Sequence, residues 1–234
     1  MNLREFRKRI KEESNKQQSK SLQWFFKTSV GEYGEGDVFA GIKMPVQRKI
    51  AKEFKNLNYN DIEEIVGSKI HEERMIGLLI LQGKYEQGDE KEKEKAFGFY
   101  IRSRKGINNW DLVDISAPKI VGVHLLDRDK KILYQFARSK NLWERRIAIL
   151  STFTFIRAGK FETTFKISDI LLNDDHDLIH KAVGWMLREI GKKDLNAEEK
   201  FLKPRYRKMP RTMLRYAIEK FPEVKRKKYL LSKI

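Results

Sequence analysis

The sequence predicts an all-α protein, a right-handed α-solenoid of HEAT-like helical repeats with a concave basic surface. Three observations carry this. Only five prolines and 14 glycines punctuate 234 residues. Between turn signals, most segments show apolar residues spaced by three and four. Five related blocks recur: HEERMIGLLIL at 71, NNWDLVDISA at 108, LWERRIAILS at 142, LIHKAVGWML at 178 and MPRTMLRYAI at 209. Their spacings of 37, 34, 36 and 31 residues are those of a repeating helix pair. Helices are expected near 2–18, 44–56, 60–67, 71–86, 89–104, 109–126, 129–139, 142–158, 162–172, 176–192, 197–206 and 210–221.

The opening stretch, MNLREFRKRIKEESNKQQ, is charged where a secretion signal would need an apolar core. GEYGEGD at 31–37 is a loop without the glycine spacing of a nucleotide-binding fingerprint, although its Tyr33 could touch a partner or pack on the first repeat. His71 opens the first strongly apolar block. DEKEKEK at 89–95 is nearly charge-balanced and reads as a solvated helix face. In NNWDLVDISAPK, Asn108 or Asn109 suits an N-cap, and Asp111 falls in the first turn, where the helix dipole favours a carboxylate. Pro118 has no N–H for the carbonyl of Asp114, so the helix should bend or stop there. In ERRIAILSTFTFI, Ile147, Leu150, Phe153 and Thr154 share one face, and Ala148, Thr152 and Phe155 the next. Such a helix must be covered on more than one side. DDHD, with His176 and His180 one turn apart, reads as an acidic helix start rather than a metal site. The block at 209 leads into a basic end.

Fifty Lys and Arg against 33 Asp and Glu leave a formal charge of +17, which points to a polyanionic partner. The excess is concentrated: residues 196–234 hold 13 Lys and Arg against four Glu. With no cysteine there is neither a disulfide nor a thiolate metal site. No stretch approaches the roughly 20 apolar residues of a membrane span. A single domain is expected over 1–234, with an N-terminal cap at 1–40 and a basic C-terminal cap at 196–234. The expected setting is cytoplasmic and nucleoid-associated, the expected state a monomer.

Recurring second helices of a solenoid line one wall. Four of the five openings place cations there: Arg74, Arg145 with Arg146, Lys181 and Arg211. Arg145, Lys181, Arg211 and Arg215 are candidate DNA contacts on this argument alone. The fifth opening carries Trp110 and Asp114 instead, four residues apart and hence on one helix face. Asp114 lies beyond the first turn and gains little from the helix end. It could pair with an arginine of the next repeat, with Trp110 in the core. Alternatively, with Trp185 at nearly the same place in its own unit, the two indoles and the carboxylate form a binding surface.

The chain resembles the AlkD-like DNA alkylation repair glycosylases, built from HEAT-like repeats. The resemblance runs through GEYGEGDVFAGIKMPVQRKIAKEF, KIHEERMIGLLIL, NNWDLVDISAPKIVG, NLWERRIAILSTF, DLIHKAVGWMLREIGKKD and KMPRTMLRYAIEKFP. It implies Asp114 as the catalytic carboxylate, Trp110 and Trp185 flanking the lesion, and Arg146 and Arg188 near the DNA. It further implies a monofunctional hydrolase that releases N3- or N7-alkylated purines from double-stranded DNA without metal or cofactor. Relatives lacking the aspartate resemble binders of branched or damaged DNA. A protein scaffold with a groove for an acidic peptide is the third alternative.

Overall fold

A computed structural model describes residues 2–234. The described chain is all-helical, 69% helix, and has no strand beyond one isolated bridge between Val38 and Ile70. It divides into two compact units, Met1–Ser116 and Ala117–Ile234.

The first unit begins with α1 (Leu3–Glu13), whose capping box pairs the Asn2 side chain with the Glu5 N–H at 3.0 Å and the Glu5 carboxylate with the Asn2 N–H at 2.8 Å. Phe6 and Ile10, one turn apart, are its buried face. The single helix expected over 2–18 is broken at Ser14, which is extended. Ser14 Oγ returns to the Ile10 carbonyl at 2.8 Å, and the Asn15 side chain takes the Gln18 N–H at 2.9 Å to start α2 (Lys16–Phe25). Two short polar side chains offer the backbone an alternative to helix, and here that alternative wins. After a loop come α3 (Met44–Glu53), α4 (Tyr59–Val66), α5 (His71–Gln87), α6 (Glu90–Ser103), a 3₁₀ turn at Arg104–Gly106 and α7 (Trp110–Ser116). Helix α5 packs against α3, α4, α6 and α7. Even its polar opening, His71, Glu72, Glu73 and Arg74, is buried. Glu72 accepts the backbone N–H groups of Ala40, Gly41 and Ile42 at 2.8, 2.8 and 3.1 Å, fastening the preceding loop.

The second unit opens on a π turn, Pro118–Gly122, as the proline requires: the Gly122 N–H reaches back five residues to the Ala117 carbonyl at 2.8 Å. Then follow α8 (Val123–Leu125), α9 (Lys131–Ala137), α10 (Leu142–Arg157), α11 (Glu162–Ile170), α12 (Asp177–Gly191), α13 (Leu195–Leu202), α14 (Arg211–Ala217) and α15 (Glu223–Leu230). The last of these lies in the basic end, where the periodicity predicts no helix. Helix α10 is covered by α9, α11, α12 and the π turn, as its all-round apolar surface demands. Helix α12 in turn packs against α10, α13 and α14.

One local pattern occurs at the start of α5, α10 and α12. The side chains of Ser68, Ser139 and Asp174 each accept the N–H two residues on, at 3.1, 3.0 and 2.9 Å. Their carbonyls each accept a side chain six residues on, from Arg74 at 2.9 Å, from Arg145 at 3.1 Å and from His180. The helix beginning at Trp110 lacks it and is preceded by the 3₁₀ turn instead.

Close packing of α12 on α14 depends on Gly184. A Cβ there would lie 2.5 Å from both the Met213 carbonyl oxygen and Tyr216 Cβ. Although alanine is the better helix former by up to about 1 kcal/mol, Gly184→Ala is expected to destabilise the protein by about 1–3 kcal/mol through overpacking. A lowered urea midpoint at unchanged slope checks this.

Candidate active site

Trp110 opens α7 and Asp114 follows one turn later on the same half-buried face. The opposite face, Leu112, Val113 and Ser116, is buried. Ser116 Oγ donates to the Leu112 carbonyl at 2.5 Å and meets the Tyr100 hydroxyl at 3.0 Å. Burial raises the Tyr100 phenol; the Ser116 hydrogen bond works against this and the charge of Asp114 adds to it.

What holds α7 in place was not visible in the sequence. Asn109 is fully buried, and its oxygen takes the N–H of Trp110 at 2.8 Å, one residue on, rather than an amide deeper in the first turn. Its amide nitrogen donates to Asp37 Oδ2 at 3.1 Å. Asp111, the candidate for the helix dipole, is bonded to His71 Nε2 at 2.9 Å. His71 Nδ1 lies 3.2 Å from Asp37 Oδ2, and Arg74 Nη2 donates to Asp37 Oδ1 at 2.7 Å. Asp37, His71, Arg74, Asn109 and Asp111 thus form one polar network tying the GEYGEGD loop to the starts of α5 and α7.

With a carboxylate at each ring nitrogen, His71 is suited to the doubly protonated form. Burial lowers its pKa, but Asp111 and Asp37 more than offset this, so the imidazole sits above its ordinary value. Burial likewise raises Asp37, yet hydrogen bonds from His71 and Asn109 and the Arg74 charge leave it below the ordinary carboxylate value. Phe39 stacks on the His71 ring at 4.5 Å, and Phe26 lies 5.0 Å from it, both favourable for a cation over an aromatic face. Phe26 also stacks on Trp110 at 5.3 Å, and Phe25 meets Trp110 edge-on at 6.0 Å. Trp110 is therefore the outer ring of a stack that begins at the buried histidine.

The other candidate residues lie in the second unit. Trp185 is half-buried on α12, donates through Nε1 to Glu189 at 3.1 Å and lies 6.0 Å from the Phe153 ring. Arg157 stands over that phenylalanine at 4.8 Å. Arg188 pairs with Glu219. Arg146 is buried and donates to the Leu178 carbonyl at 2.6 Å. Arg145 is held by Asp174 at 2.6 Å and by the carbonyls of Ser139 and Lys140. Lys181 pairs with Asp177 at 2.7 Å, Arg211 donates to the Leu230 carbonyl at 3.1 Å, and Arg215 is exposed. His176 Nδ1 accepts the Leu178 N–H at 3.1 Å and so caps α12, while His180 bonds the Asp174 carbonyl.

Behind Arg188, Glu198 on α13 is buried against Gly191, and its Oε1 has no hydrogen-bond partner. Burial, with a contribution from Glu199 and opposed by Arg188, pushes its pKa up to about 9. The folded state therefore holds a proton that the unfolded chain releases near pH 4.5, and stability falls as pH rises between those values. Glu198→Gln is expected to melt like wild type near pH 4.5 and to be more stable at pH 8 by on the order of 1–3 kcal/mol, read as a pH-dependent gain in melting temperature.

The sequence pattern of a family described as DNA alkylation repair enzyme matches residues 6–221. The chain belongs to the DNA alkylation repair enzyme family. The solved structure of a predicted DNA alkylation repair enzyme from Enterococcus faecalis shares its fold, with a TM-score of 0.70 over 90% of this chain and 98% of that chain at 16% identity. No curated protein sequence matches the chain. In this DNA alkylation repair family member, no group of three or more His, Cys, Asp or Glu is placed to hold a metal ion among the described residues. Nor is any helix among them long and apolar enough to cross a membrane.

Proposed function

We propose that this member of the DNA alkylation repair enzyme family is a monofunctional glycosylase. Its substrate would be double-stranded DNA carrying N3- or N7-alkylated purines, and Asp114 would be its catalytic carboxylate. The observation that carries this reading is the division of labour at and just before the start of α7. Asn109 and Asp111 are committed to the buried network, whereas Trp110 and Asp114 share the half-buried face.

Alkylation at N3 or N7 leaves the purine positively charged and a good leaving group. The C1′–N bond breaks with its electron pair going to the base, which departs neutral, and positive charge develops on the sugar. Water then adds at C1′ and releases a proton to solvent, leaving an abasic sugar. A carboxylate about 4 Å from that charge, at an effective dielectric near 20, interacts with it by roughly 4 kcal/mol. Asp114 would also orient the attacking water. The indole face of Trp110 would favour a cationic purine over a neutral one by about 0.5–2 kcal/mol. A cationic alkylated base leaves without a strong acid, so the reading calls for neither a lysine nucleophile nor a metal.

The blocks at 71, 108, 142, 178 and 209, together with the pattern shared by Ser68, Ser139 and Asp174, support reading the chain as recurring HEAT-like helix pairs. Among the candidate contacts, Arg215 is exposed, whereas a phosphate approaching Arg188 would compete with Glu219.

The test is release of 7-methylguanine and 3-methyladenine from methylated duplex DNA in the presence of EDTA. Release at a rate well above spontaneous depurination is expected. Tight DNA binding with no release would make the protein a binder of damaged DNA instead.

A further inference from the structure

Helix α2 (Lys16–Phe25) has no buried residue, which is unusual for a helix ending in tryptophan and phenylalanine. Trp24 is 84% exposed and Phe25 55%. The helix sequence, KQQSKSLQWF, contains no acid. Lys16, Lys20 and Trp24 follow at four-residue steps and so form one stripe, with Gln17, Ser21 and Phe25 beside it. Lys16 and Lys20 are exposed, as is Lys27 just beyond the helix. The attachments of α2 run the other way: Asn15 N–H donates to the Ala40 carbonyl at 2.9 Å and Ser19 Oγ to the Phe39 carbonyl at 2.7 Å. A shallow concavity of about 650 Å³ is lined by Gln18, Lys20, Ser21, Leu22, Trp24 and Phe25.

We propose that this stripe is a nucleotide-stacking platform, in which Trp24 takes the face of an unstacked nucleobase and Lys16 and Lys20 neutralise phosphates of the same strand. Gln18 offers a donor and an acceptor to the base edge. Cations in line with an exposed aromatic ring are how single strands are held, each base face providing sequence-tolerant stacking. A protein-docking surface would instead have a centre depleted in lysine. Phe25 touches Trp110, so the platform adjoins the face that carries Asp114. The inference rests on DNA being the partner but not on the chemistry at Asp114.

The experiment uses the full-length protein and two short duplexes, one fully paired and one carrying a single unpaired 2-aminopurine nucleotide. Wild type is expected to bind the second more tightly and to quench its fluorescence. Trp24→Ala should lose the quenching and roughly tenfold in affinity for that duplex, while binding the paired duplex as wild type does. Lys16→Gln with Lys20→Gln should weaken both and reduce the salt slope by about two. Because Lys16, Lys20 and Trp24 are exposed, these variants should melt like wild type. Equal affinity of Trp24→Ala and wild type for both duplexes, or an equal loss on both, overturns the platform. The release assay with wild type is independent of this result, so failure here leaves the glycosylase reading standing.

Discussion

Asp114→Asn is expected to lower release of 7-methylguanine and 3-methyladenine by about a hundredfold to a thousandfold with melting temperature and DNA affinity unchanged. Asparagine keeps the shape and one acceptor oxygen but cannot offset a cationic sugar. The full Coulomb attraction at 4 Å is roughly 4 kcal/mol, and partial desolvation of the carboxylate discounts it. With about 1.4 kcal/mol per tenfold in rate, two to three decades remain. The contrast is Asp111→Asn, three residues earlier on the same helix. Asp111 is bonded to His71, so its loss should depress the melting temperature while leaving the turnover of folded protein within about tenfold of wild type. Release by Asp114→Asn at the wild-type rate would falsify the assignment of the carboxylate.

Asp37→Ala should carry the largest cost in stability, about 3–5 kcal/mol. Asp37 is 6% exposed and is the common partner of Arg74, His71 and Asn109. Its removal leaves a buried guanidinium and an imidazole without their shared counter-charge, and uncouples Asn109 from the GEYGEGD loop that precedes α3. The pH dependence follows from two opposite signs. Asp37 is depressed below its ordinary 3.8, so its contribution is present above that value and is lost as pH falls through the folded pKa. His71 is raised above its ordinary 6.5, so its contribution is complete below 6.5 and is lost as pH rises through the folded pKa. The gap between wild type and Asp37→Ala should therefore be widest at about pH 5–6. It should narrow in acid, and narrow only partly in base because the Arg74 pair persists. Thermal melts across pH check this; a gap independent of pH would remove the network from the account.

The helices were largely legible because a period of three to four in apolar residues is a local property. The interruptions were legible only where the cause was covalent. Pro118 announces its own break by lacking an N–H, and the π turn follows at once. Ser14 and Asn15 gave no such signal, since their side chains break a helix only when they return to the nearby backbone. Helix α15 was missed because its seven-residue run from Glu223 to Tyr229 is dominated by charge, with Tyr229 alone buried.

The candidate site divides in the same way. That Trp110 and Asp114 share a face follows from four-residue spacing on a helix, and the roles carried over by resemblance attach to those numbered positions. The residues that hold that face in place are another matter. Asp37, His71 and Asn109 are separated by 34 to 72 positions, and nothing in their local sequence marks them as partners. Similarly, Arg145 and Arg146 read as surface cations from a repeat argument, whereas the fold commits them to Asp174 and to the Leu178 carbonyl. Sequence by itself determined the helical class, the excess of positive charge and the shared face of Trp110 and Asp114, because each depends on residues near one another in the chain or on a simple count. Only the tertiary structure decided which charges are spent inside and which remain outside, because burial and partnership are properties of residues that meet in space after the chain has folded.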